Sequence, residues 1–258
     1  MNKLITFFRY LKDYLKHGEY AFVFTAIKYR LLGLPANRDR IIKTGLGKMW
    51  CRKGSIDFVF ANYAYEWNVK SFILQHYKNY KLFIDIGANI GTYPLLLAPK
   101  GIKCIAYEPV RENYDALRIN MILNKVEENI SAFNYGLGEK EYKAGFIYDS
   151  VNTGASHLKE TGEKGMLREV TIKAFNTVYP ELKLNTEDKI MIKIDVEGME
   201  QAVLNGASEF IRSFNNLLII MEVKHSGEEI LKNELNKYAA FKYKKIDDLN
   251  IAAFKTKI

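Results

Sequence analysis

The chain has 258 residues, 48% of them hydrophobic, a formal net charge of +8 and two cysteines. That suits one α/β domain with a modest appendage, and it excludes disordered, collagenous and disulfide-scaffold classes. The charge fits nucleic acid, an anionic membrane surface, an anionic substrate or a merely solvated surface, but no run of five like charges occurs, so no nucleic-acid partner is expected.

Residues 1–35 read as two short helices. In the first, Leu4, Phe8, Leu11 and Leu15 share a face, while Lys3, Arg9, Lys12 and Lys16 point elsewhere. In the second, Tyr20, Phe24, Ile27 and Leu31 share a face, and Gly33 with Pro35 ends it. No segment here approaches the roughly 20 apolar residues of a membrane span. Charges at Arg9, Lys12 and Asp13 interrupt any signal-peptide core. Packing of the apolar faces on the protein itself or on a second subunit is the expectation. The alternative is peripheral contact of residues 1–32 with a membrane. Cys51 and Cys104 lie far apart without metal-ligand spacing. They read as reduced thiols of a cytoplasmic protein, which could sit at the inner face of the membrane.

Three β-prone pieces follow at 41–44, 49–52 and 56–60, with Gly45, Gly47 and Gly54 between them, as a small antiparallel preamble. A helix is expected over 63–77, with Trp67, Phe72, Ile73 and Leu74 buried. From residue 81 strands and helices alternate. Strands are expected at 82–86, 103–107, 130–135, 190–194 and 216–223, and helices at 90–98, 111–123, 200–204 and 228–238. Two strands at 241–246 and 251–256 close the chain around a turn, as an antiparallel edge. The pattern predicts a Rossmann-like, doubly wound α/β domain over 61–258, preceded by a helical and β appendage at 1–60. An insert at about 138–178 breaks the alternation on the substrate side of the sheet.

The most informative segment is Phe83-Ile84-Asp85-Ile86-Gly87-Ala88-Asn89-Ile90-Gly91, an apolar strand running into a glycine turn that opens a helix. Gly87 would supply the tight turn and Gly91 close approach. A dinucleotide fingerprint wants G-x-G-x-x-G here. Asn89 replaces its second glycine and Thr92 its third. Asp85 would moreover repel a diphosphate and suit a cofactor that carries an ammonium and a sulfonium. Glu108, about 20 residues on at the end of the next strand, can accept hydrogen bonds from ribose hydroxyls. Asn134, at the end of the third strand, can reach an adenine edge.

The fourth strand ends Lys193-Ile194-Asp195-Val196-Glu197, and the fifth ends Glu222-Val223-Lys224-His225. If they are neighbours, Asp195, Glu197, Glu222 and His225 converge at the crevice, as an active site would. Asp195 or His225 could take a proton from an alcohol. Alternatively, two or three of the carboxylates could hold Mg²⁺.

These residues resemble the FkbM family of methyltransferases. The likeness covers about 54–224. It rests on Gly54-Ser55-Ile56-Asp57, the turn from Asp85 to Gly91, Glu108-Pro109, Asn120, Asn124, Asn152-Thr153-Gly154-Ala155-Ser156, Lys193 to Glu200 and Glu222-Val223. It implies a class I methyltransferase fold with a seven-stranded sheet whose last strand is antiparallel. It also implies S-adenosylmethionine as donor and O-methylation of a small-molecule, sugar, glycan or natural-product acceptor. Asp85, Gly87, Asn89 and Glu108 would then bind the donor, with Asn152, Asp195 and Glu197 on the acceptor side. Lys224 stands where the family often has histidine. A nicotinamide-dependent oxidoreductase or epimerase would want glycine at position 89 and shows no Tyr-x-x-x-Lys pair. A nucleic-acid methyltransferase would want an Asn/Asp-Pro-Pro-aromatic signature where Asp195-Val196-Glu197-Gly198 stands. A non-catalytic binding module would have no need of carboxylates on both sides of the crevice.

Overall fold

A computed structural model describes residues 3–159 and 162–256; the first two residues of the segment given membrane contact as its alternative role, and two of the insert, lie outside this range. The elements in chain order are α1 (Lys3–Lys16), α2 (Tyr20–Leu32), β1 (Arg40–Thr44), β2 (Gly47–Cys51), α3 (Asp57–Phe60) and α4 (Trp67–His76). Then come β3 (Leu82–Ile86), α5 (Thr92–Leu97), β4 (Lys103–Tyr107), α6 (Arg111–Asn124) and β5 (Ile130–Phe133). The insert supplies β6 (Gly136–Gly138), β7 (Tyr142–Tyr148), β8 (His157–Leu158), β9 (Met166–Ala174) and α7 (Phe175–Val178). The chain ends with β10 (Lys189–Ile194), α8 (Glu200–Gly206), α9 (Ser208–Ser213), β11 (Asn216–Glu222), α10 (Glu228–Asn236), β12 (Phe241–Lys245) and β13 (Asn250–Lys255).

Seven strands form the central sheet in the order β12-β13-β11-β10-β3-β4-β5. Among the pairs from β11 to β5 every contact is parallel, whereas β13 is antiparallel to both its neighbours. This is the class I methyltransferase arrangement. The two closing strands form the edge pair, as the sequence predicts, with β13 antiparallel to its neighbours and β12 outermost. Ile251, Ala252 and Ala253 of β13 are buried on both faces of the sheet, so that strand sits inside. The lysine-rich β12 takes the edge, where charge blocks further pairing. The insert folds as a second, four-stranded sheet in the order β6-β9-β7-β8.

Two expectations about the N-terminal elements fail. Residues 56–60 do not form a strand: Asp57 is pulled into a buried ion pair with Arg52 at 2.6 Å, and the chain turns there into α3. The predicted apolar faces of the first two helices mostly point outward, with Leu4, Phe8, Leu15, Tyr20, Phe24 and Leu31 all exposed. Tyr14, Phe22 and Ala26 face inward instead. The Tyr14 hydroxyl donates to the Phe58 carbonyl, and Phe22 packs between Tyr14 and Phe58. The buried Asp13 accepts the N–H groups of Gly45 and Tyr63. Anchoring by hydrogen bonds and aromatic contacts decided which face is buried; the count of leucines did not. One apolar cluster continues from these helices through Met49 and Phe58 to Phe83, Leu96 and Leu218 of the central fold.

Candidate functional site

From β3 the chain builds the sheet outward through β4 and β5, then returns to add β10 and β11 on the other side. A crevice opens at the carboxyl ends of strands where the order reverses in this way. The turns after β3 and β10 meet there, and the Asp195 N–H donates to the Ile86 carbonyl at 3.0 Å. Gly87 has φ +89°, and a Cβ on it would stand 1.8 Å from the Asp195 carbonyl oxygen. Glycine is thus required both by the backbone conformation and by contact between the two turns.

The turns divide the crevice into two arms. Gly87, Asn89, Gly154, Asp195 and Glu197 line both. The first arm adds Glu108, Pro109, Val110, Asn113, Leu137 and Met199. The second adds Phe60, Tyr65, Glu66, Tyr93, Asn152, Lys193 and Glu222. Carboxylates line the first arm at Glu108, Asp195 and Glu197, and no lysine or arginine does among the described residues.

Glu108 is the best-organised group of the first arm. Its two oxygens accept the N–H groups of Asn89 at 2.8 Å and Val110 at 2.9 Å. Burial pushes its carboxyl up to about 7, although those N–H donors, Asn113 and Arg52 favour the charged form. Asn89 takes up the left-handed backbone conformation at φ 47°, which an asparagine tolerates where a second glycine would otherwise stand.

Besides His225, three sequence candidates lie outside both linings. Gly91 has φ +91° and faces α6, where an added Cβ would meet Leu117 at 2.4 Å, so backbone conformation as well as helix packing favours glycine there. Asn134 donates its amide to the carbonyls of Glu108 and Pro109, both at 3.0 Å, and so braces the end of β4. Asp85 is buried with both oxygens lacking a hydrogen-bond partner, and it pairs in register with Lys193 on the adjacent strand. Burial raises its carboxyl to about 7, with Lys193 opposing.

In the second arm the almost wholly buried Lys193 places Nζ 2.6 Å from Asp195 Oδ2 and 4.7 Å from the centre of the Tyr93 ring. Burial alone would lower the Lys193 pKa, but Asp195, Glu66 and Asp85 together hold it above the ordinary lysine value. Glu197 has φ 49° and accepts from His225 Nε2 at 2.8 Å, with Lys224 Nζ at 3.8 Å. His225 reaches in from the rim and is itself no part of either lining. Glu222 keeps one buried oxygen without a partner; burial, then Asp195 and Glu197, raise its carboxyl to about 8. Asn152 lines the second arm, its backbone held by Asp149 Oδ1 at 2.8 Å.

Glu197, Glu222 and His225 could each offer one ligand atom, all within 4.8 Å of one another. The set fits Mg²⁺ poorly. That ion wants hard oxygen donors in octahedral array, whereas one donor here is an imidazole already bonded to Glu197.

Sequence reasoning missed a buried polar layer behind the second arm. Tyr93 donates its hydroxyl to Glu66, a residue at φ 46° that precedes α4. Lys70 is fully buried and donates to the carbonyls of Asn62 at 3.0 Å and Tyr65 at 2.7 Å. Its position on the apolar face shared by Val69 and Ile73 was the available signal. Also missed was Arg52, which binds Asp57 and reaches Asn113 at 3.1 Å. Thr153 joins Asp57 at 3.1 Å and so ties the insert to the preamble beside the crevice.

The sequence matches a family model described as the methyltransferase FkbM domain over residues 85–249. It is 25% identical over 162 residues to the hexuronic acid methyltransferase AglP of Haloferax volcanii, covering 63% of each chain. It is 30% identical over 155 residues to the methyltransferase sdnD of Sordaria araneosa, covering 49% of this chain and 60% of that protein. The chain therefore spans less than two thirds of the length of these curated relatives. Among solved structures it is similar to methyltransferase FkbM from Methylobacillus flagellatus KT, with a TM-score of 0.49 at 16% identity, covering 69% of this chain and 44% of that one.

Proposed function

Because the chain belongs to the FkbM methyltransferase family, we propose that it transfers a methyl group from S-adenosylmethionine to a hydroxyl of a sugar, glycan or natural-product acceptor. The observation that carries the donor assignment is the charge of the first arm. Three carboxylates and no basic side chain line it among the described residues. Such a wall repels a diphosphate and attracts a cation. Glu108 uses two of its roughly four lone-pair sites on backbone N–H groups, which leaves acceptors for two ribose hydroxyls.

When bound, S-adenosylmethionine supplies a methyl group on a cationic sulfur. Gly87 and Asn89 shape the turn against which the donor lies, and Asp195 and Glu197 face both arms. Asp195, held in position by the Lys193 ammonium, accepts the proton of the acceptor hydroxyl. Asn152 and Glu222 orient that hydroxyl, and the His225–Glu197 pair closes the rim. Alignment of acceptor and methyl for in-line displacement is the main contribution of so fixed a site. No step is routed through Mg²⁺. A sugar acceptor is supported by the relative named as a hexuronic acid methyltransferase. The reading places the enzyme in the cytoplasm, where the buried thiols Cys51 and Cys104 stay reduced.

The test is incubation with methyl-labelled S-adenosylmethionine and panels of glycans and hydroxylated metabolites, followed by mass spectrometry. A gain of one methyl on an acceptor oxygen is expected. Label recovered only on nucleic-acid bases or amines would contradict the acceptor class.

A further inference from the structure

We propose that α1 and α2 form a docking surface for an anionic bilayer. Each helix turns an apolar stripe to solvent. On α2 it comprises Tyr20, Phe24 and Leu31, which are 63%, 72% and 74% exposed. On α1 it comprises Leu4, Phe8 and Leu15, at 57%, 60% and 50%. Isolated exposed leucines are ordinary, but two helices each presenting such a stripe are not.

Charge decides the occupant. Lys12 and Lys16 flank the α1 stripe one turn apart, and Lys28 and Arg30 flank the α2 stripe; all four are exposed. The acidic residues of the segment are taken up inside. Asp13 is buried on the backbone of Gly45 and Tyr63, and Glu19 holds Arg40 and the Lys43 N–H. Apolar stripes whose exposed charged neighbours are, among the described residues, cations match the interface of an anionic membrane. A second copy of this face would set like charges against one another. Among the described residues no helix is long and apolar enough to cross a membrane, so contact would be at the surface.

The inner sides of the two helices lie close to the site. A groove between α1 and α2, walled by Phe7, Tyr10, Ala26 and Tyr29, ends at Phe58 and Val59. Val59 also lines the acceptor arm.

The experiment is vesicle co-sedimentation of the whole chain. The vesicles are phosphatidylcholine alone or phosphatidylcholine with about one third phosphatidylglycerol, and adenosylhomocysteine binding is measured on each variant. The parent should partition at least about tenfold more strongly onto the anionic vesicles, and about 0.5 M salt should weaken this. The double variant Phe24→Glu, Leu31→Glu should lose binding to both, and Lys16→Glu, Lys28→Glu should lose the preference for anionic lipid, both with unchanged adenosylhomocysteine affinity. No partition of the parent, or partition unaffected by both variants, would overturn the proposal. So would a parent dimer that the Phe24→Glu, Leu31→Glu change dissolves, because a second copy would then occupy the face. Failure of adenosylhomocysteine binding with vesicle partition intact would strike the methyltransferase reading and leave the docking surface standing.

Discussion

Lys193 and Asp195, separated by one residue where β10 runs into its turn, form a 2.6 Å ion pair whose lysine is 4% exposed and whose carboxylate is 23% exposed. A buried ammonium cannot leave this partner without a large desolvation cost, so the carboxylate is fixed in place. That is how a strand whose buried stretch is otherwise isoleucine and methionine delivers a usable proton acceptor to the crevice.

Asp195→Asn keeps the shape but removes the proton acceptor. Turnover should fall roughly 10²- to 10⁴-fold, the scale of a lost general base. Adenosylhomocysteine affinity should change far less. Single-turnover kinetics beside calorimetry separate the two effects, and a fully active variant would clear Asp195 of the chemistry.

Glu108 ties donor affinity to pH. In the donor-free protein its carboxyl sits at about 7, raised by burial, with the Arg52 charge and the N–H groups of Asn89 and Val110 opposing. Ribose hydroxyls donate to the ionised form. Affinity should therefore be full above about 7 and decline as pH falls below it, by at most about tenfold per pH unit. Glu108→Gln should flatten that dependence, and Glu108→Ala should cost about 1.5–3 kcal/mol of donor binding. Calorimetric titrations across the range would show it; a pH-independent affinity in the parent would refute the ribose contact.

Asp85 tests the fold itself. Its carboxyl rises from 3.8 to about 7 on burial. A carboxyl raised in this way contributes stability that is fully present below the unfolded-state value and is lost as pH rises through about 7. Asp85→Asn removes that loss. Its melting temperature relative to the parent should climb between about pH 4 and about pH 7 and then level. A constant offset at every pH would contradict the assignment.

Asp57 holds the preamble onto the crevice. It is 0% exposed and binds Arg52 through the guanidinium and the backbone N–H. Asp57→Ala leaves a largely buried guanidinium without its carboxylate, at a cost of about 3–5 kcal/mol. Urea denaturation would measure it, and a change under about 1 kcal/mol would show that the pair adds little.

The central fold was legible because buried parallel strands are written as unbroken apolar runs. Leu82–Ile86 and Lys103–Tyr107 appear at their predicted bounds, and the two turns after β3 and β10 announce themselves by glycine and carboxylate. What could not be read depended on partners distant in sequence. Asp57 leaves the β pattern because of Arg52, and Gly91 also packs against Leu117 of α6. Asn134 braces β4, a role that a strand-end asparagine does not disclose. The N-terminal helices misled for a related reason. Their leucine spacing marks an apolar stripe correctly, but periodicity does not say whether that stripe meets the protein, water or another surface.

The most direct test of the account is a calorimetric titration of the whole chain with adenosylhomocysteine and, separately, with NAD. The carboxylate-lined arm predicts saturable binding of adenosylhomocysteine, weakened in Glu108→Ala, and no binding of NAD. Binding of NAD with no response to adenosylhomocysteine would contradict it.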